Sequence, residues 1–353
     1  MVHSEIISTT EKEKWITLVE KTPIKDIHFL PEYLSLFEKH LQSPCYLFFY
    51  GDENHYVLYP FFKRKINEIT YISGKLNEMY WDIISPWYYG GPLFYGNIND
   101  NILSDSLFEF NKYCLEENII TEFSRFHPYL NNYKKMESLI SLEKVGTVVW
   151  LDLTNDLEFI FNQDFQKQSR TAVRKSEKKG ADVHINNVKD LKTFHKLYLK
   201  SMDAKNTRNF YYFTYDFLLN LEKNLRKEFT LITVKDKDEI VGGSIFLHKY
   251  GKMYYYLSAR DPEHDEVNSL HRIIYEAIKY GKEHDLKLLD LGGGPEGSGL
   301  LRFKKSFSNN LCSLYGCKRI FDRKKYVEIC KMIRMDVTDL EFENASFFPE
   351  YRR

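Results

Sequence analysis

The chain has 353 residues, with 50 Lys and Arg against 50 Asp and Glu, and 43% of its residues are hydrophobic; that length favours two domains over one. With 16% aromatic residues and no net charge, it is neither a disordered chain nor one whose overall field would draw it to DNA or an anionic membrane. Apolar runs such as Ile83–Leu93 are broken by Ser, Pro and Gly and fall short of the ~18 residues of a spanning helix, so no membrane insertion is expected. The opening MVHSEIISTTEKEKW lacks the apolar core of a secretory signal. The five cysteines (Cys45, Cys114, Cys312, Cys317, Cys330) are odd in number and lack paired metal spacing. A cytoplasmic location without a structural metal is the expectation.

In chain order, the pattern predicts a helix over Glu11–Glu20 and aromatic strands Cys45–Tyr50 and His55–Phe62 around the turn 51–54. A strand near Ile69–Ile72, a helix over Leu103–Glu117 and strands Ile119–Phe126 and Val145–Leu153 follow. The second half predicts a basic helix Lys167–Lys179 ended by Gly180, helices Leu191–Asp203 and Tyr215–Leu225, and strands Phe229–Val234, Ile240–His248 and Lys252–Ala259. After them come a helix Leu270–Lys282 and a strand Lys287–Leu291. Both halves run strand, acidic turn, strand, and both later run into Gly-Gly-Pro (90–92 and 293–295). The economical reading is a pair of related α/β modules: residues 1–148, residues 149–335, and a polar tail, 336–353.

Several stretches could carry chemistry. Arg260–Ser269 ends in the N-cap candidates Asn268 and Ser269, where a helix N-terminus can hold an anion. The loop Gly292–Gly299 is neither a P-loop nor a dinucleotide fingerprint; its glycines allow close approach of a ligand or of a neighbouring strand. In LLRFKKSF, a helix would turn Leu300, Phe303 and Phe307 inward and the cations outward. The loop 201–213 sets Lys205 and Arg208 beside Tyr211 and Tyr212, a combination suited to a nucleotide or diphosphate. No G-x-S-x-G elbow or HExxH motif is present, and the histidines are scattered.

The ordered set SRTAVRKSEKKGADV, MDAKNTRNFYYF, VGGSIFLHKYGKMYYYLSA and LLDLGGGP…LLRFKKSF resembles the FemAB-like branch of the GNAT acyltransferase superfamily. SPWYYGGPL and RFHPYL in the first half agree with it. The resemblance implies an α/β (α+β) fold of two tandem GNAT-like domains, each a mixed, mostly antiparallel sheet flanked by helices, with an acceptor between them. It implies transfer of an acyl group to an amine, with Lys304 of the Phe-Lys pair and Tyr256 near the reacting carbonyl. Lys205, Arg208, Tyr211, His127 and Tyr89 would then contact the acceptor, and Asn268, Ser269, Arg302 and Gly293 the donor.

The glycine-rich pyrophosphate loop of single-domain GNATs is missing before Leu270, and so is a long coiled-coil arm. The expected function is transfer from acyl-coenzyme A to the amino group of a nucleotide-linked amino sugar, in surface polysaccharide synthesis. An aminoacyl-tRNA-dependent transferase acting on a peptidoglycan precursor is the alternative, disfavoured by the neutral charge. A catalytically inactive binding module on the same fold is the third reading.

Overall fold

The computed structural model describes residues 2–333 and 347–353. Along the chain lie β1 (His3–Ser8), α1 (Lys12–Lys21), α2 (Pro31–Leu41), β2 (Cys45–Gly51), β3 (Tyr56–Lys65), β4 (Trp81–Ile84), β5 (Leu93–Tyr95), α3 (Asp100–Glu116) and β6 (Ile119–Arg125). Then come β7 (Glu143–Asp152), a one-turn α4 (Leu157–Phe159), α5 (Lys167–Lys178), β8 (Asp182–Ile185), α6 (Leu191–Ala204), α7 (Tyr215–Asn224), β9 (Phe229–Asp236), β10 (Glu239–Lys249) and β11 (Lys252–Arg260). The chain continues through α8 (Ser269–Glu283), β12 (Leu288–Gly293), α9 (Gly299–Lys305), β13 (Leu311–Ile320) and α10 (Arg323–Lys331).

Two compact units result: the described residues up to Val145 together with those from Leu314 on, and Gly146–Ser313. Within the first unit the strand order is β1-β2-β3-β4-β6-β13, with β5 beside β3. Only β4 and β6 run parallel, with α3 between them in sequence as the crossover that a parallel pair requires. Within the second unit the order is β8-β9-β10-β11-β12-β7, and again only the fourth and fifth strands, β11 and β12, are parallel, with α8 as their crossover. The two units thus share an order of six strands with the parallel pair in the same place, β5 being extra in the first.

The Gly-Gly-Pro motifs, by contrast, are not equivalent: the first lies between β4 and β5 and the second begins at the last residue of β12. The second unit also ends earlier than the expected 335, because β13 pairs with β6 through Gly316–Ile320. The expected tail divides. Residues 336–346 lie outside the described residues, but 347–353 pack into the first unit, where Tyr351 is 1% exposed beside Tyr326 and its hydroxyl meets that of Thr121 at 2.7 Å. Arg352 pairs with the buried Asp82, which Arg64 also contacts at 2.7 Å.

The strand expected near Ile69–Ile72 is a chain of turns, Ile69 N–H to Ile66 O and Ile72 N–H to Ile69 O. Ile66 and Ile72 are buried in one cluster with Tyr80 and Ile120, and Ile69 packs against it. Among the described residues no helix is long and apolar enough to cross a membrane.

Candidate active site

In the second unit β11 and β12 pair at Lys252/Leu288, Met253/Leu289 and Tyr254/Asp290, and the pairing stops there. Against β10, the register of β11 slips by one residue so that Tyr256 is extra: Leu257 faces Ile245 and Tyr255 faces Phe246. A bulge bends its strand, and here it falls where β11 parts from β12. The result is a fork between two parallel strands. The corresponding strands of the first unit stay closed. Beyond Ile84/Phe123 the bonds continue, Ser85 N–H to Phe123 O at 3.1 Å, Gly90 N–H to Arg125 O at 2.9 Å and His127 N–H to Gly90 O at 3.1 Å. Of the two parallel strand pairs, only β11/β12 opens.

Helix α8 starts beside the fork. Ile273, Ile274, Ala277 and Ile278 bury one stripe against the sheet. Its first turn reaches β10 because Gly242 has no side chain; a Cβ there would lie 2.3 Å from Ser269 Oγ. Ser269 is thus turned into the protein, donating to Val241 O at 3.3 Å, and does not reach a donor as expected. Asn268 adopts the left-handed φ of +54° that asparagine tolerates. With Gln166, Lys167, Gln168, Thr171, Ala172 and Lys175 it lines an open groove of about 610 Å³. Both α5 and α8 begin without a side-chain cap and without an acidic residue in the first turn, so their positive dipole ends are not neutralised locally. Two lysines and two helix N-termini make the groove suited to phosphate.

A glycine nest is absent from this end. Residues 262–267 form a 3₁₀ helix whose acids, with its N-cap Asp261, are tied to cations: Asp265 to Arg260, Glu266 to Lys179 at 2.9 Å, and Asp261 and Glu263 to Lys200 at 3.5 Å each.

Lys304 is the buried cation at the end of β12. The helix α9 buries Lys304 with Leu301 and leaves Leu300 51% exposed, against expectation, while Phe303 and Phe307 pack inward as expected. The Lys304 Nζ donates to Gly293 O at 2.6 Å. Burial lowers its ammonium to about 8, although the charge of Asp290 works the other way. Asp290 is fully buried and accepts the Gly292 N–H. Gly293 is glycine because of the neighbouring strand, since a Cβ would sit 2.6 Å from Thr147 O. Arg302 is exposed and tied to Gly297 O.

On the remaining wall, Tyr256 is 6% exposed. Lys205 caps the C-terminal end of α6, Arg208 precedes a 3₁₀ turn that ends at Tyr211, and all three are exposed. The Lys205 ammonium is lowered by loss of water and by Arg260. Burial and the same Arg260 push His271 down to about 4, leaving it a neutral ring between Phe303 and Phe307. Arg260, His271 and Asp290 carry no motif of their own that would mark them in the sequence.

His127 and Tyr89, expected at the acceptor, instead lie in the interior of the first unit, 0% and 3% exposed. His127 Nε2 lies 3.3 Å from Asp26 Oδ2, and His28 Nδ1 lies 2.6 Å from Asp26 Oδ1. These three side chains are the one cluster of metal-ligand type among the described residues. The hydrogen bonds oppose a metal: Tyr129 N–H donates to His127 Nδ1 at 3.2 Å, so the ring proton sits on Nε2, the atom that would have to bind the ion.

Residues 163–305 match the family model of the acetyltransferase (GNAT) domain. No curated protein sequence matches the chain at a significant level. Among solved structures, that of FemX is similar with a TM-score of 0.68 at 14% identity, covering 92% of this chain and 98% of its own. L-PGS from Bacillus licheniformis aligns with a TM-score of 0.54 at 13% identity, over 87% of this chain and 91% of its own. A tandem GNAT protein from the clavulanic acid biosynthesis pathway gives 0.52 at 6% identity, over 91% and 99%.

Proposed function

From the premise that residues 163–305 form a GNAT domain within a FemX-like fold, we propose that this chain is an N-acyltransferase whose reaction centre is the β11/β12 fork. The observation that carries this reading is the buried Lys304 at the open end of the only one of the two parallel pairs that parts. The donor is an acyl thioester of coenzyme A with its phosphates along the Lys167–Lys175 groove, and the acceptor is a nucleotide-linked amino sugar held by Lys205, Arg208 and Tyr211.

The substrate amine, unprotonated, attacks the thioester carbonyl. The C–N bond forms, the C–S bond breaks, the nitrogen loses one proton and the departing sulfur gains one. Positioning supplies much of the rate. The Lys304 ammonium donates to the developing oxyanion, and Tyr256 contributes the hydroxyl beside the leaving group.

One observation favours a second reading, transfer from aminoacyl-tRNA to a peptidoglycan precursor. The turn before α8 is an acidic 3₁₀ helix rather than a nest of amides, and an open groove with lysines suits a nucleic-acid backbone as well. Calorimetric titration with coenzyme A tests the first reading. Binding that weakens at least tenfold in the double variant Lys167→Glu, Lys175→Glu supports it; no binding to the native protein contradicts it.

A further inference from the structure

We infer that Ser169 and Ser306 are positioning residues, a buried hydroxyl pair that fixes the donor groove against Lys304. The inference rests on donor phosphates lying in that groove and on Lys304 acting at the reaction centre. The groove starts at Gln166, the residue before α5, and Lys304 is the last residue but one of α9. Ser306 follows α9 directly and touches α5 twice. Its carbonyl accepts the Gln166 N–H at 2.8 Å, and its hydroxyl meets that of Ser169, in the first turn of α5, at 2.7 Å. The Gln166 side-chain amide adds a bond to Lys305 O at 3.3 Å. Ser169 and Ser306 are 0% and 1% exposed.

The direction of these bonds follows from the protons available. The Ser306 hydroxyl gives its proton to Phe303 O at 2.6 Å, because a carbonyl can only accept, so Ser169 is the donor to Ser306. This relay runs from the first turn of α5 into the last turn of α9 and ends at the residue before Lys304. Phe165 and Phe307 flank it, packed edge to face with ring centres 5.0 Å apart. The Lys304 side chain is held in turn by Gly293 O at 2.6 Å. Two alanines of similar shape would fill the same space with no polar group to satisfy, so packing alone does not account for the pair. Directional bonds set the two helix ends in register, and a donor spanning groove and fork needs that register: a misplacement of about 1 Å can cost about a hundredfold in rate.

The test compares two donors in Ser169→Ala: acetyl-coenzyme A, and S-acetylpantetheine, which lacks the nucleotide and every phosphate and so leaves the groove empty. The nucleotide-linked amino sugar is the acceptor, and free thiol is followed. Ser169→Ala should lower kcat/KM for acetyl-coenzyme A by about tenfold or more and leave that for S-acetylpantetheine unchanged. An equal fall with both donors makes the pair merely structural, and no fall with either removes its role; each result overturns the inference. If Ser169→Ala does not fold, amide exchange in the native protein replaces it. Coenzyme A should then slow exchange at Ser306 and Phe307, whose N–H groups bond to Arg302 O and Lys304 O outside the groove lining; unchanged exchange there overturns the inference. A native protein that does not favour acetyl-coenzyme A over S-acetylpantetheine holds no donor in the groove, and the proposed function then fails together with the inference.

Discussion

The ammonium of Lys304 lies 2.6 Å from the carbonyl oxygen of Gly293, at the point where β12 leaves the fork. A buried lysine is expensive, and its titration near 8 means that it is largely charged at neutral pH and loses its proton as pH rises through that value. If the charged form stabilises the oxyanion, Lys304→Met should lower kcat and kcat/KM together by about 2.7–4 kcal/mol. The native rate should decline above about pH 8. Steady-state kinetics across pH 6–10 check both; a raised KM at constant kcat would make Lys304 a binding group.

Gly242 tests the support under α8. An added Cβ meets Ser269 Oγ at 2.3 Å and Ser269 Cβ at 2.5 Å, both on the first turn of the helix, so strand and helix must separate. Gly242→Ala should cost about 1–3 kcal/mol by overpacking and weaken donor binding, since Asn268 moves with the helix. Denaturant melts combined with donor titration measure the two effects.

Much of this arrangement was legible in the sequence, and the reasons for success and failure are physical. The stripe Ile273, Ile274, Ala277 and Ile278 announces α8, and the ordered motifs bring out the GNAT resemblance, which residues 163–305 bear out. The tandem mixed-sheet fold follows from it. The place of β13 was not legible: it has a mixed pattern, and nothing local says that it pairs with β6. The side on which α9 buries Lys304 could not be read either, because a seven-residue helix has no full period to reveal its inner face. His127 illustrates the limit of motif position. Its setting is decided by Asp26 and His28, about a hundred residues earlier.

That Asp26 cluster predicts acid sensitivity in the first unit. Burial resists ionisation of Asp26, yet His127 and His28 outweigh it and hold the carboxyl well below its ordinary value. Its stabilising effect is therefore complete above the unfolded value near 4 and is lost as pH falls through the folded one. Asp26→Asn should cost about 1–3 kcal/mol at pH 7, as for buried hydrogen bonds left poorly satisfied, and flatten the decline of stability below about pH 4. Thermal melts from pH 7 to pH 2 measure it.

Asp82 predicts a role for the C-terminal residues. It is 0% exposed and kept ionised, against burial, by Arg64 and Arg352. Arg352→Ala leaves Arg64 as the remaining arginine of the pair and should destabilise the first unit by about 1–3 kcal/mol, the cost of an undercompensated buried group. Amide hydrogen exchange should show the loss in β4 and β6, with β9 and β10 unchanged.

Whether the fork joins an acyl thioester to an amine is tested most directly by a paired assay. One reaction contains the protein, an acyl-coenzyme A and a nucleotide-linked amino sugar, with free thiol followed by a thiol reagent. The other contains aminoacyl-tRNA and a peptidoglycan precursor. The account predicts thiol release that depends on both the amino sugar and Lys304, with acylated sugar formed in equal amount. Aminoacyl transfer in the second reaction, with no thiol release from any acyl-coenzyme A in the first, would contradict it.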